Sequence, residues 1–231
     1  MQSEDILVLG SGPQTRIVKK EFKKIYASNA SIIKCKDYLS HNVNIEIISV
    51  VTEKGLLSDI PTQENIREIK PNRIVVRKKT NKDLPDFNFK FETLFFSNVE
   101  QYEFQKKFFK NANIFLPFAE IFYGNTFNEK LRHLINIFKY KKSVMGISTG
   151  FYTILLALFE NPNSQIYING ITMSNSKHFY ELIGKENKIM TRHKVDNFMI
   201  KLLFKKFKIN LYTTNLNFSK LGKINYFENV G

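Results

Sequence analysis

Short apolar runs alternate with amphipathic stretches along most of the chain. Ile6 to Leu9 is an apolar run that ends in Gly10-Ser11-Gly12-Pro13. Arg16 to Tyr26 then carries Ile17, Phe22 and Ile25 at roughly helical spacing, so the pattern predicts strand, glycine turn, helix. Ile45 to Val51 is rich in β-branched residues and Arg73 to Arg77 encloses Ile74-Val75-Val76, so both read as strands, with Thr52 to Pro71 between them unassigned. Lys78 to Asn88 is polar with Pro85 and reads as an exposed loop. Further along, the pattern predicts strands over Thr93 to Phe96 and Asn113 to Leu116, and helices over Val99 to Lys110 and Phe127 to Tyr140.

The clearest unit lies between residues 143 and 169. Ser143 to Ile147 reads as a strand, Ser148-Thr149-Gly150 supplies N-cap chemistry, and Phe151 to Phe159 is an almost uninterrupted apolar helix. Asn161-Pro162-Asn163 is a turn and Gln165 to Asn169 a strand. A helix apolar all round between two strands is a buried crossover of a parallel sheet. Thr172 to Arg192 is then polar and irregular, long for a connection unless it closes over a ligand as a lid. Asp196 to Phe207 reads as an amphipathic basic helix and Ile209 to Tyr212 as a last strand.

This alternation predicts one α/β domain over residues 1–231, a Rossmann-like doubly wound, mainly parallel sheet with a small lid at 172–192. Such sheets bind ligands at the carboxyl ends of their strands, which puts Gly10 to Gln14 and Ser148 to Gly150 on one binding edge.

Composition narrows the partners. Lys and Arg number 35 against 21 Asp and Glu, a net charge of +14, so anionic partners are expected. An AT-rich genome would give the same bias toward Lys, Asn, Ile and Phe. Cys35 is alone, which excludes a disulfide framework and a Cys-based zinc site and fits a reducing compartment. No run reaches the length of a membrane span, and the acidic opening Met1-Gln2-Ser3-Glu4-Asp5 is unlike a signal peptide, so a cytoplasmic protein is expected.

The candidate chemistry is sparse. Gly10-Ser11-Gly12 is an incomplete dinucleotide fingerprint, because Thr15 replaces the third glycine and Pro13 removes an amide. A tight strand-to-helix turn is its plain reading. His41, His133, His178 and His193 show no paired-ligand spacing, and no Asp-x-Asp occurs, which disfavours metal-dependent transfer from a nucleoside diphosphate sugar. His133 reads as structural, whereas His193 stands where the lid meets the last helix, beside Lys194 and Asp196, and is a candidate proton acceptor. The basic helix around Lys201, Lys205, Lys206 and Lys208 has two readings: a helix lying on an anionic membrane, or, preferred, a helix with its apolar face in the core. The aromatic pairs beside lysines form no RNA-binding pattern, so nucleic acid is a minor expectation.

Taken in order, these pieces resemble the bacterial sialyltransferases of glycosyltransferase family 42, which use CMP-sialic acid to decorate surface lipooligosaccharide. Ile6-Leu-Val-Leu-Gly-Ser-Gly-Pro is similar to the family's opening strand and G-N-G-P-S turn, which implies donor contacts for Gly10, Ser11, Gly12 and Gln14. Ile25-Tyr-Ala-Ser-Asn resembles the strand that ends in a donor-binding asparagine, here Asn29. Ile147-Ser-Thr-Gly-Phe-Tyr is similar to I-T-S-G-V-Y, and Ile166-Tyr-Ile-Asn-Gly-Ile to I-Y-L-S-G-I, implying that Ser148, Thr149 and Gly150 hold the donor carboxylate and phosphate. Tyr180 falls on a family tyrosine that bonds the leaving phosphate, His193 on the general base, and Lys208 to Tyr212 with Asn217 on the last strand and its loop. The chain departs from the family at Gly146, Val50 and Ser174, where an arginine, an asparagine and a tyrosine are expected.

The resemblance implies a variant of the GT-A-type fold and a metal-independent inverting transfer of sialic acid from a CMP-sugar to a glycan or lipooligosaccharide. It also implies oligomer formation and peripheral contact with the inner face of an anionic membrane. Alternatives are a transferase for another CMP-activated acid (Kdo, legionaminic or pseudaminic acid), a non-catalytic nucleotide- or RNA-binding module on the same core, and a structural capsule-assembly protein.

Overall fold

A computed structural model describes residues 4–12, 17–39, 44–77, 84–97, 100–101, 103–105, 126–128, 130–131, 134–135, 147–171, 191–206, 210–222 and 224–228. Its strands are β1 (Asp5–Leu9), β2 (Lys24–Ser28), β3 (Glu46–Thr52), β4 (Arg73–Arg77), β5 (Glu92–Phe96), β6 (Gln165–Asn169), β7 (Leu211–Thr213) and β8 (Asn225–Tyr226). They form one sheet in the order β5-β4-β3-β2-β1-β6-β7-β8, and every pairing is parallel.

A parallel sheet covered on both faces needs strands that are apolar throughout. In β1, Ile6, Leu7, Val8 and Leu9 are all fully buried, and each contributes about 1.5–3 kcal/mol of transfer free energy. Alternate side chains enter two separate cores. Ile6, Val8, Tyr26, Ile48, Val50 and Val75 pack with α4 (Thr149–Glu160), α5 (Thr191–Lys206) and α6 (Leu216–Gly222). Leu7, Leu9, Ile25, Ala27, Ile47, Val51, Ile74 and Val76 pack on the other face. That face is covered by a 3-10 helix (Asn29–Cys35) continuing into α1 (Lys36–Leu39), by α2 (Glu53–Ser58) and by α3 (Ile60–Ile69). The architecture is therefore a Rossmann-like doubly wound α/β sheet.

At the amino edge, a polar cluster fixes the far end of α4. The Tyr26 hydroxyl donates to Glu160 Oε2 at 2.6 Å, Asn161 Nδ2 donates to the Tyr26 oxygen at 2.9 Å, and Arg73 pairs with Glu160. Burial and the Glu160 carboxylate both push the Tyr26 phenol up, so it stays a donor.

Several expectations are corrected. Residues 17–23 contain no helix, and Lys24–Ser28 is a strand, so the helix expected over Arg16 to Tyr26 does not form across its described residues. Pairing of Lys24 to Ala27 with Ile6 to Leu9 outweighs a helical spacing carried by only three apolar residues. The unassigned stretch from Thr52 to Pro71 holds α2, capped by the Thr52 hydroxyl, and α3, with a proline in its first turn. The last helix begins at Thr191, so Thr191 and Arg192 belong to α5 and not to the expected lid; residues 172–190 lie outside the described residues. The chain does not end its sheet near Tyr212, since α6 and β8 follow. Ile147 is not part of a strand; 143–146, like the strand expected at Asn113 to Leu116, lie outside the described residues. Val195, Met199, Ile200 and Leu203 of α5 are fully buried, so its apolar face is in the core. Among the described residues no helix is long and apolar enough to cross a membrane.

Candidate functional site

Strand order reverses between β1 and β6: the chain winds outward from β1 to β5, then returns to the other side of β1. At such a switch point the loops usually part and open a crevice at the carboxyl edge. Here the two loops stay joined at their base. Gly10 N donates to Asn169 O at 2.8 Å and Gly12 N to Gly170 O at 2.7 Å, extending the β1–β6 ladder past the strand ends. The approach needs glycine on both sides. A Cβ on Gly10 would lie 2.3 Å from Ile171 Cγ1 and 2.4 Å from Gly170 O, and Gly170 itself has φ +69.

Beneath this junction lies Lys34, from the 3-10 helix after β2. Its Nζ donates to Gly10 O and to Gly12 O, each at 2.9 Å, and the side chain is buried. A Cβ at residue 170 would stand 2.9 Å from the same nitrogen, so glycine there also makes room for the lysine. Burial lowers the Lys34 pKa to about 8, against the opposing field of Asp37. Gly10, Ser11 and Gly12 therefore sit on the expected edge, with the N–H groups of both glycines bonded to the β6 loop. Ser11, 7% exposed, has no hydrogen-bond partner for its N–H among the described residues. Gln14 lies outside the described residues.

The second loop converges on the first. Gly150 and Gly10 both face Ile171, whose side-chain carbons lie 3.6–3.7 Å from where a Gly150 Cβ would be. Ser148 caps α4, its Oγ accepting from Phe151 N at 3.1 Å. The next two N–H groups, of Thr149 and Gly150, point out of the helix start and have no partner among the described residues. Ser148 N–H donates to Asp196 Oδ1 at 2.9 Å, which ties α5 to the head of α4. His193 stands three residues before Asp196, in the first turn of α5. Tyr180 lies outside the described residues, as do Gly146 and Ser174.

A second buried cation approaches from the far side. Arg77, at the end of β4, donates from Nε to Gln101 Oε1 at 3.0 Å and from a terminal nitrogen to Ile147 O at 3.4 Å. Its guanidinium carbon lies 4.3 Å from the centroid of the Tyr152 ring. Burial raises the Tyr152 phenol, with Arg77 opposing. Asn29 follows β2 on the same edge, opening the 3-10 helix with φ 52, its Oδ1 3.9 Å from where a Gly55 Cβ would be. Val50 is fully buried among the apolar residues of β3 and offers no polar group.

Of the residues singled out from sequence, the structure brings Gly10, Ser11, Gly12, Ser148, Thr149 and Gly150 to one edge, where Gly10 and Gly150 meet at Ile171, with Asn29 after the strand next to β1 and α5 tied to Ser148. Sequence reasoning missed Lys34, Arg77 and Asp196. Lys34 interrupts the run Ile32-Ile33-Lys34-Cys35 and Arg77 closes the run Ile74-Val75-Val76, so a charge inside or at the end of an apolar run was the available signal. Comparison with protein-family models, with curated proteins and with solved structures finds no match in any of the three.

Proposed function

We propose that this chain is a metal-independent inverting glycosyltransferase that moves sialic acid, or a related ulosonic acid, from a CMP-sugar to a glycan or lipooligosaccharide acceptor. One observation carries the reading. Three of the segments to which the resemblance assigns donor binding and catalysis are the β1 loop, the start of α4 and the first turn of α5. They are linked through Ile171 and through the bond from Ser148 N–H to Asp196. The fold supports it as well, because a switch point at the carboxyl edge of a parallel sheet suits a nucleotide.

In this reading, the outward N–H groups of Thr149 and Gly150 and the hydroxyls of Ser148 and Thr149 bind the anionic donor at a helix N-terminus. Ser11 and Asn29 contact the nucleotide, and Tyr180 donates to the departing phosphate oxygen. His193 takes the proton of the acceptor hydroxyl during in-line attack, a role worth about 100 to 10,000-fold in rate. CMP departs from the acid as a phosphate monoester, so no diphosphate has to be neutralised. Work at an anionic membrane face would suit the net charge of +14.

The test is calorimetric titration with CMP, UMP, UDP, AMP and GDP in EDTA, followed by transfer assays with CMP-activated acids. Selective CMP binding, and loss of transfer in His193→Ala with CMP binding kept, are expected. Preference for a diphosphate, or full transfer by His193→Ala, would overturn the reading. RNA binding that weakens steeply with salt, without CMP binding, would select the non-catalytic alternative.

A further inference from the structure

A glycine turn at a nucleotide site attracts phosphate through its N–H groups. This turn has little of that left. The Gly10 and Gly12 N–H groups bond the β6 loop, and Pro13 has none. Its carbonyls at Gly10 and Gly12 instead turn to the buried ammonium of Lys34, 2.9 Å from each. A whole positive charge thus lies directly beneath the turn, in a space that glycine at 170 keeps open.

We propose that Lys34 supplies the positive charge of the anion site at the β1/β6 switch point, fixing the glycine turn by its carbonyls and attracting the ligand phosphate through it. The inference rests on the site being one for a phosphate monoester. Lys34 acts as a positioning and electrostatic residue, one shell away from the anion. Its charge explains how a turn with an incomplete glycine fingerprint still draws an anion to this edge.

Among the described residues, the neighbours leave Lys34 as the group that titrates there at mildly alkaline pH. The β1 and β6 loops against it, residues 10–12 and 169–171, contain no ionisable side chain. Asp37 favours the protonated amine, Lys36 is paired with Glu68 of α3, and burial keeps Cys35 and Tyr38 protonated. Glu53, at the start of α2, and Asp196, which accepts from Ser148 N–H, are buried carboxylates on the same edge. With its pKa lowered to about 8, Lys34 is largely neutral in the empty site at about pH 8.5. An anion favours the charged form, so binding at that pH draws in a proton. The second ionisation of a phosphate monoester, near pH ~6, is already complete.

The experiment is calorimetry of CMP and of sulfate, in buffers of different ionisation enthalpy, at about pH 6.5 and about pH 8.5. The wild-type chain is compared with Lys34→Gln, which keeps a donor for the carbonyls but no charge. Uptake of a fraction of a proton at the higher pH, absent for sulfate at the lower, and abolished in Lys34→Gln together with about tenfold weaker binding, is expected. Equal affinity and equal uptake in the variant would overturn the proposal while CMP binding itself stands. If sulfate shows the Lys34-dependent uptake and CMP does not bind, the proposal holds and the CMP reading falls. Binding of neither probe overturns both. If Lys34→Gln does not fold, the wild-type chain with sulfate, an anion that does not titrate in this range, decides alone: the same proton count at both pH values refutes the role.

Discussion

Two glycines face the same isoleucine, and the structure separates them sharply. Gly10→Ala would set a Cβ 2.3 Å from Ile171 Cγ1, 2.4 Å from Gly170 O and 2.7 Å from Gly170 C, where ordinary contact begins at 3.4 Å. The Ile171 side chain can rotate away. The Gly170 carbonyl cannot, because it accepts from Gly12 N–H, and the peptide beside it is held by the bond from Gly10 N–H to Asn169 O. Overpacking of about 1–3 kcal/mol, with about 1 kcal/mol for each loop bond lost, gives a destabilisation of about 2–5 kcal/mol. Gly150→Ala meets Ile171 at 3.6–3.7 Å, an ordinary contact, in the first turn of α4. Relief of the glycine entropy cost makes that variant neutral or more stable by up to about 1 kcal/mol. Urea unfolding followed by circular dichroism measures both. At about 1–3 kcal/mol per molar urea, the two midpoints should differ by at least about 0.7 M. A Gly10→Ala midpoint equal to wild type, or a larger loss in Gly150→Ala than in Gly10→Ala, would refute the tight junction of the β1 and β6 loops.

Two further perturbations address the head of α4. Ser148→Ala removes the cap of Phe151 N–H and should lower stability by about 1 kcal/mol, and Asp196→Ala, which leaves Ser148 N–H without its acceptor, by about 1–3 kcal/mol. Asp196→Asn keeps an acceptor and should fall between Asp196→Ala and wild type in thermal melts; a wild-type melt for Asp196→Ala would show that α5 is held by packing alone. Among the described residues the buried Tyr152 hydroxyl has no hydrogen-bond partner, so Tyr152→Phe should leave stability unchanged or raise it by up to about 2 kcal/mol. A loss above about 1 kcal/mol in the same melts would mean that the hydroxyl is bonded.

What could be read in advance depended on how local the determining forces are. β4 and β6 were legible to the residue because each is a compact apolar or β-branched run with turn residues or charge at its ends. α4 was legible because Ser148 announces its start and Asn161-Pro162 its end. β2 was not, since five residues with three apolar side chains fit either period, and the decision comes from β1 and β3 on its two sides. The resemblance read Ile25 to Asn29 as a strand where spacing read a helix, and a strand forms over Lys24–Ser28, with Asn29 opening the 3-10 helix. At the site, the loops were legible and their wiring was not. Nothing local in Gly10-Ser11-Gly12 says that its N–H groups face β6, or that a lysine more than twenty residues later takes its carbonyls. Asp196 and Ser148 meet across 48 residues, a separation that spacing within one element never addresses.

The position of β1 in the middle of the sheet has a consequence for synthesis. Its one neighbour, β2, follows within the first 28 residues, but the other, β6, pairs Asp5 with Gln165 and leaves the ribosome late. From β1 to β5 the growing chain can zip a five-stranded parallel ladder, and throughout that time one flank of β1 has no strand to bond. The same delay applies to the glycine turn, whose amides wait for Asn169 and Gly170. The junction of the two loops is thus finished only when the second half of the sheet closes on the first. A nascent chain halted before residue 165 carries most of one sheet and none of the junction, an open strand edge of the kind that chaperones bind and that neighbouring chains can pair with.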